Sequence, residues 1–312
     1  LPARRDLYTG RLGFPWKGSG PLDPEDRDLP SLVSGPDHEI PSMLVTDHYH
    51  LFGERAGNYH FGYTGWDFVR GAETDRWITD PRAPKRLPRP PWPLSGHPSE
   101  AAWRAYERNG RDRAGEDDTT GGKVMARTAQ WIRENATSRP FFAMVDCVDP
   151  HEPFDPPLEF RDLYLKDYAG PNIIWPRYGD CAHMTESQIR CVRANYAGKV
   201  TLIDKQFGRV LDALDEQDLW KRTMVVVLSD HGHLLGEHGT MGKPVASQGD
   251  ASMYEELARI PFVVWHPDNP APGRRVASLV QAVDLFPTLL EAVGRKIPGG
   301  IHGRPLTPIL RG

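Results

Sequence analysis

The sequence predicts an α/β fold in which a mainly parallel central sheet is flanked by helices. Short apolar runs alternate along the chain with segments of helical periodicity, and this alternation is typical of parallel sheets. No internal repeat interrupts the pattern. Four apolar runs are predicted as buried strands, at residues 42–47, 140–148, 223–229 and 260–265.

The helical segments are identified by their periodicity and their end signals. In residues 185–219 apolar side chains recur every three or four positions, so they form one stripe along a long helix. Residues 284–293 form a second predicted helix, with Asp284 as a plausible N-cap and Gly294 as a plausible C-terminal stop. A third helix is predicted over residues 121–135.

The stretch between the first two strands lacks a clear period. Residues 50–122 mix aromatic, proline and charged side chains, and the proline cluster at 81–98 predicts a long extended loop. We expect an irregular excursion over the carboxyl edge of the sheet, since long loops of this kind often shape binding pockets. The chain is therefore treated as one domain, 1–312, with an irregular insertion at 72–122.

Composition excludes several classes of protein. The formal net charge of −4 argues against nucleic-acid and membrane-surface partners, because both require a basic excess. No apolar run approaches the roughly 20 residues that span a bilayer. The three cysteines, Cys147, Cys181 and Cys191, imply no disulfide framework and mildly favour a reducing compartment such as the cytoplasm.

Three of the predicted strands are followed closely by histidine, with aspartate beside it. In open α/β sheets, ligands bind at the carboxyl ends of strands, so these side chains are expected to converge in one crevice. Imidazoles and carboxylates together are typical of a metal or phosphate-type site. The residues concerned are Asp47, His48 and His50 after the first strand, Asp149 and His151 after the second, and Asp230, His231 and His233 after the third.

Each group alone also has an ordinary structural explanation. An Asp-His-Gly sequence after a strand is often only a turn, and His151 could simply cap a loop. His48 and His50 alternate, so on an extended chain they face opposite ways and at most one need point into the site. Their joint occurrence at three strand ends favours a functional site.

Longer stretches resemble the sulfatase family. Residues 225–243, V-V-V-L-S-D-H-G-H-L-L-G-E-H-G-T-M-G-K, are similar to its S-D-[NH]-G and L-G-E-H-G segments, and residues 140–157 resemble its P-F-F…P-H-x-P-F pattern. The opening L-P-A-R-R-D-L-Y-T-G-R resembles the end of the family's C-x-P-x-R…T-G-R motif. The resemblance covers residues 1–70 and 125–312 and implies an alkaline-phosphatase-like fold.

The resemblance implies metal-dependent hydrolysis of small sulfate esters. Asp230 and His231 would bind the divalent metal together with an upstream pair of carboxylates. The nucleophile would be the residue before Leu1, as formylglycine if that residue is Cys. We therefore expect a core fragment that begins just after the nucleophile and lacks the upstream strand and the C-terminal subdomain. Arg4 would stabilise the ionised nucleophile.

The remaining roles are also implied by the resemblance. Lys243 and His151 would contact the ester oxygens and the leaving group, where cations stabilise developing charge. His50 corresponds to the family's histidine that assists the nucleophile as general base or acid. Both cations also have a purely structural alternative. Arg4 would pair with a carboxylate on the surface, and Lys243 would be a solvated loop residue.

Two departures from the family pattern leave alternatives open. His48 stands where many sulfatases have a sulfate-binding lysine, and an imidazole can be neutral at pH 7. Asp-His replaces the commoner Asp-Asn, which admits Mn²⁺ or Zn²⁺ beside the expected Ca²⁺. A phosphodiesterase, a phosphonate monoester hydrolase or a non-catalytic protein that binds an anionic sugar are the alternatives. Ser or Thr before Leu1 would favour the phosphorus esters, and Cys the sulfate esters.

Overall fold

The computed structural model describes residues 1–13, 16–53, 57–80, 87–94, 98–138, 140–243, 253–269 and 271–311. In these ranges a parallel three-stranded sheet places β1 (Ser42–Thr46) between β2 (Gly65–Phe68) and β3 (Phe142–Asp146). The predicted parallel sheet is confirmed, and two of the predicted strands are β1 and β3. Much of the predicted 81–98 loop, at 81–86 and 95–97, lies outside the described residues.

The other two predicted strands pair with each other. β5 (Val225–Leu228) and β8 (Phe262–Trp265) form an antiparallel ladder from Val225–Trp265 to Leu228–Phe262. Within the described ranges no ladder joins β5 to β3. A small antiparallel sheet near the site contains β4 (Gly179–Asp180), β7 (Thr240–Gly242) and β6 (Leu234–Leu235) in that order.

The three predicted helices are confirmed with slightly shifted ends. The described helices are α1 (Pro2–Thr9), α2 (Leu29–Ser34), α3 (Glu100–Asn109), α4 (Thr120–Asn135), α5 (Leu158–Arg161), α6 (Glu186–Glu216), α7 (Glu255–Ala258), α8 (Leu285–Ala292) and α9 (Thr307–Arg311). Gly294 ends α8 with φ +71°, as predicted. Asp284 does not cap α8 with its side chain, because its carboxylate accepts the N–H groups of Gln281 and Arg304.

The prediction of irregular backbone across 50–122 is wrong at β2 and α3. β2 is only four residues long, and it forms because the edge of β1 supplies its hydrogen-bond partners. In α3 the Ser99 hydroxyl caps the helix by accepting the Ala102 N–H, and Trp103 is buried against Trp175 at a ring-centroid distance of 6.0 Å. Tertiary packing thus orders a segment whose own pattern is weak.

Alternate side chains of β3 and β5 pack on opposite helical layers. On one side Met144 and Val226 contact the core formed with α1, α2 and α8. On the other side Val145 and Val225 contact the core of α4 and α6. This two-sided burial is what a central sheet requires. Both strands, including their carboxyl ends, line one open cavity.

Two further observations bear on the sequence expectations. In the part of the chain that the structure describes, no helix is both long enough and apolar enough to cross a lipid bilayer. Cys147, Cys181 and Cys191 are free thiols, two of them buried and Cys147 half-buried.

Candidate active site

The carboxyl ends of β1, β3 and β5 open onto one cavity. β1 runs into a short 3-10 turn, β3 into the loop that carries His151, and β5 directly into Asp230. All seven side chains that the sequence singles out for a role line this cavity. They are Arg4, His48, His50, His151, Asp230, His231 and Lys243.

Arg4 connects two strand ends through buried ion pairs. Its Nε and one terminal nitrogen each lie 2.7 Å from the carboxylate of Asp146, and the other terminal nitrogen lies 2.5 Å from Asp230 Oδ2. Burial would raise the pKa of both carboxyls, but the charge and hydrogen bonds of the Arg4 guanidinium lower it by more. The pKa of Asp230 falls to about 2 and that of Asp146 well below its usual range. Both carboxylates are therefore ionised at neutral pH.

Asp146 was missed in the sequence analysis. It ends β3, and its side chain is only 10% exposed. The sequence did carry one indication of it, because Asp146 is a charged residue inside the apolar run of residues 140–148. A carboxylate buried in such a strand requires a paired cation. The partner could not be inferred, because Arg4 is separated from Asp146 by 142 positions.

Asp230 and His231 form the candidate metal-binding pair. Asp230 Oδ2 lies 3.6 Å from His231 Nε2, a separation that ligands of a single divalent cation can have. His231 Nδ1 lies 2.9 Å from the Gly232 carbonyl, which favours the tautomer protonated at Nδ1. Nε2 then keeps its lone pair for a metal. Burial lowers the pKa of His231, so the imidazole is neutral, as a metal ligand must be.

This donor pair fits a divalent cation but does not complete a site. Across the described ranges, no group of three or more His, Cys, Asp or Glu side chains is arranged to hold a metal. Two cations lie against the pair, with Arg4 on Asp230 and Lys243 Nζ 3.1 Å from His231 Nε2. Further ligands would have to come from outside this group of residues.

Lys243 and Glu73 contact the two nitrogens of His151. Lys243 Nζ lies 2.8 Å from Nε2, and Glu73 Oε1 lies 2.6 Å from Nδ1, with Glu152 Oε2 at 3.3 Å. Burial would lower the pKa of His151, but the two carboxylates outweigh it and raise the pKa to about 9. His151 is thus suited to give up a proton at neutral pH.

His48 and His50 lie on the same side of the chain. The expectation that they face opposite ways is wrong, because the 3-10 turn Tyr49–Leu51 replaces the extended backbone it assumed. Their ring centroids are 5.5 Å apart, and His48 Nδ1 lies 3.4 Å from Asp146 Oδ2. Burial lowers the pKa of His50 to about 4, so its imidazole is neutral at pH 7.

The aspartates after β1 and β3 have structural partners. The Asp47 carboxylate accepts the Val148 N–H at 2.7 Å, and burial beside Asp149 raises the pKa of Asp47 to about 7. Asp149 pairs with the buried Lys199. The sequence pattern of Asp near His is therefore partly structural, and only Asp230 of the three aspartates lies on the candidate metal pair.

Comparison with known proteins gives a consistent result. The model of the Sulfatase family matches residues 40–295. An arylsulfatase of Clostridium perfringens (strain 13 / Type A) is 31% identical over an alignment of 207 residues that covers 60% of this chain and 41% of that protein. The multifunctional alkaline phosphatase superfamily protein PehA of Trinickia caryophylli is 36% identical over 200 residues, covering 55% of this chain and 38% of the relative. This chain thus covers less than half the length of either relative.

Solved structures agree on the fold. The phosphonate monoester hydrolase of Agrobacterium radiobacter superposes on the whole of this chain and on 67% of its own, with a TM-score of 0.71 and 20% identity. A structure described as BT4656 in complex with D-glucosamine-2-N,6-O-disulfate superposes with a TM-score of 0.66 and 17% identity, over 100% of this chain and 70% of that one. The predicted alkaline-phosphatase-like architecture is confirmed.

Proposed function

This chain belongs to the Sulfatase family, and on that basis we propose that it hydrolyses small sulfate esters in a metal-dependent reaction. The observation that supports this most is that two cationic side chains contact one pair of metal-type donors and that a third, His151, lies beside one of them. Arg4 contacts Asp230, and Lys243 contacts both His231 and His151. A sulfate ester carries a negative charge that such a cluster would bind and orient.

Asp230 and His231 would hold the metal. A bound divalent cation would lower the pKa of the nucleophile's hydroxyl and polarise the oxygens of the ester. Ca²⁺ is the first choice, with oxygen ligands completing the set, while the imidazole of His231 also admits Mn²⁺ or Zn²⁺. The remaining ligands are proposed to be carboxylates from a segment upstream of Leu1.

The nucleophile is proposed to be the residue that precedes Leu1, as formylglycine formed from Cys. Leu1 lies one helical turn before Arg4 at the start of α1, and Arg4 contacts Asp230, so a residue preceding Leu1 in the full protein would lie near the donor pair. The hydrated aldehyde would attack sulfur while Arg4 stabilises its ionised hydroxyl. The imidazole of His50, which lines the same cavity, would accept a proton from it.

His151 is proposed to protonate the leaving group. When the bond between sulfur and the ester oxygen breaks, that oxygen leaves with the electron pair and takes a proton from Nε2 of His151. Lys243 Nζ lies 2.8 Å from Nε2, and two protonated nitrogens repel at that distance, so Lys243 would turn to the transferred sulfuryl oxygens when the ester binds. The second hydroxyl of the hydrate would then lose its proton and expel sulfate by breaking the bond between its carbon and the sulfated oxygen. Water would add to the aldehyde that is re-formed, so that the net products are an alcohol and inorganic sulfate.

A second candidate function is hydrolysis of phosphonate monoesters or phosphodiesters at the same site. It is favoured by His48, which stands where many sulfatases have lysine and which is buried against Asp146. The fold likeness to a phosphonate monoester hydrolase is compatible with it. Both reactions would use Asp230, His231, Lys243 and His151 in the same roles.

The test is a comparison of ester classes on the full-length protein. We expect kcat/KM to be higher for 4-nitrophenyl sulfate than for the corresponding phenylphosphonate, and peptide mass spectrometry to show formylglycine before Leu1. Asp230→Asn should abolish turnover, whereas Asp112→Asn, on an 82% exposed carboxylate, should leave it unchanged. Activity on the phosphonate alone, with Ser or Thr before Leu1, would move the assignment to the second candidate. Lack of any turnover, with no nucleophilic side chain there, would leave a protein that binds anionic sugars.

A further inference from the structure

Glu73 reaches the candidate active site from a loop that is rigidly held. Asp75 accepts hydrogen bonds from the Arg70 guanidinium at 2.7 and 2.8 Å and from the Gly71 N–H at 2.8 Å. The side-chain amide of Asn109, at the end of α3, donates to the Asp75 carbonyl at 2.7 Å. The loop is therefore closed on itself and tied to a helix of the insertion.

The backbone of Glu73 itself adopts an unusual conformation. Its φ is +41°, in the left-handed region that non-glycine residues rarely occupy. Such conformations persist where surrounding contacts impose them, and they concentrate at functional sites. Here the neighbouring Thr74 is fixed by a 2.6 Å hydrogen bond to the Tyr49 hydroxyl, which lies on the turn after β1.

The side chain of Glu73 is buried against His151. It is 11% exposed, and its Oε1 lies 2.6 Å from His151 Nδ1. Glu152 contacts the same nitrogen at longer distances, through its backbone carbonyl at 3.0 Å and its Oε2 at 3.3 Å, and its other carboxylate oxygen accepts a hydrogen bond from Tyr178. Glu73 is thus the closest carboxylate to the imidazole.

We propose that Glu73 is the positioning residue for the leaving-group acid His151, an inference that rests on the proposed hydrolase function. By accepting the Nδ1 proton, Glu73 fixes the ring orientation and the tautomer, and Nε2 becomes the nitrogen that faces the ester. The same carboxylate–imidazole arrangement orients histidines in other hydrolases and metal sites. No local sequence motif marks Glu73, which lies 78 positions before its partner.

The experiment measures how kcat/KM depends on the leaving group. Wild type, Glu73→Gln, His151→Asn and the double variant are assayed with 4-nitrophenyl sulfate, whose leaving group needs little protonation, and with phenyl sulfate, whose leaving group needs more. We expect Glu73→Gln to lower kcat/KM by about 10- to 100-fold for phenyl sulfate and by less than about 3-fold for 4-nitrophenyl sulfate. In the His151→Asn background it should have no further effect, because the group that it orients is absent.

Two controls keep the outcome decisive. Glu134→Gln removes an exposed carboxylate from α4 and should match wild type with both esters. Glu73→Asp keeps the charge but withdraws the carboxylate by one methylene, so we expect a loss of kcat/KM between those of wild type and Glu73→Gln. If Glu73→Gln does not fold, Glu73→Asp takes its place, and a larger loss with phenyl sulfate than with 4-nitrophenyl sulfate remains the expected result. A loss equal for both esters, or one additive with His151→Asn, would overturn the positioning role while leaving the hydrolase proposal intact. A wild type without sulfate ester turnover would instead overturn the proposed function itself.

Discussion

Replacing Arg4 with Met should destabilise the protein strongly, because Arg4 neutralises two carboxylates inside the fold. Its side chain is 14% exposed, and that of its bidentate partner Asp146 is 10% exposed. Removing one member of a buried ion pair costs about 3–5 kcal/mol, since the other charge stays buried without compensation. His48 Nδ1 lies 3.4 Å from Asp146 and compensates in part, so we expect a loss of about 3 kcal/mol in the free energy of unfolding.

The sign of the pH dependence follows from the lowered pKa of Asp146. A carboxyl with a depressed folded-state pKa contributes stability above its unfolded pKa of about 3.9 and loses it as pH falls. In wild type that loss begins only below about pH 4. In Arg4→Met burial is no longer outweighed and raises the pKa of Asp146, so the variant protonates the orphaned carboxylate as pH falls, and its difference from wild type should be largest at pH 7 and shrink towards pH 4. Pairing Arg4→Met with Asp146→Asn should recover part of the loss, because the orphaned charge is then absent.

The assay is urea unfolding followed by circular dichroism at pH 7 and pH 4. Arg259→Met is the matched control, since Arg259 forms an exposed i,i+4 pair with Glu255 and should change stability by less than about 0.5 kcal/mol. An Arg4→Met protein within about 0.5 kcal/mol of wild type at pH 7 would refute the reasoning, because it would mean that the buried pairs carry no net stabilisation.

Three further predictions concern the same cluster. The raised pKa of His151 contributes stability that is fully present below its unfolded pKa of about 6.5 and is lost as pH rises through about 9. Urea unfolding should therefore show a decrease of about 3 kcal/mol across that window, and a flat profile would contradict it. Gly232→Ala should destabilise by at least about 2 kcal/mol, because its Cβ would lie 1.8 Å from the Glu256 carbonyl oxygen; an unchanged melting temperature would contradict this contact. Lys243→Met should lower kcat/KM for 4-nitrophenyl sulfate by about 10²-fold, because a cation on the transferred group is lost, and a change of less than about 3-fold would remove Lys243 from the site.

The elements with strong periodicity were predictable from the sequence. α6 was found because its apolar stripe extends over 31 residues, and β1, β3 and β5 because their apolar runs are bounded by polar residues. β2 and α3 were missed because partners elsewhere in the chain stabilise them, such as the edge of β1 and the ring of Trp175. Short elements of this kind carry too little local pattern to be identified.

The candidate site was predictable where its residues directly follow strands. His151, Asp230 and His231 were identified in this way, since the carboxyl ends of neighbouring strands share one edge of the sheet. Asp146 and Glu73 were missed because their partners, Arg4 and His151, are distant in sequence. The orientation of His48 and His50 was mispredicted because an isolated sequence does not show that a 3-10 turn follows β1.

The most direct test of the central claim is metal dependence of sulfate ester hydrolysis by the full-length protein. Turnover of 4-nitrophenyl sulfate would be measured after chelation and again after addition of Ca²⁺, Mn²⁺ or Zn²⁺, with wild type and Asp230→Asn side by side. We expect wild type to lose turnover on chelation and regain it with one of the three cations, and Asp230→Asn to regain none. Undiminished turnover in chelated wild type, or full recovery in Asp230→Asn, would contradict a metal-dependent reaction centred on Asp230 and His231.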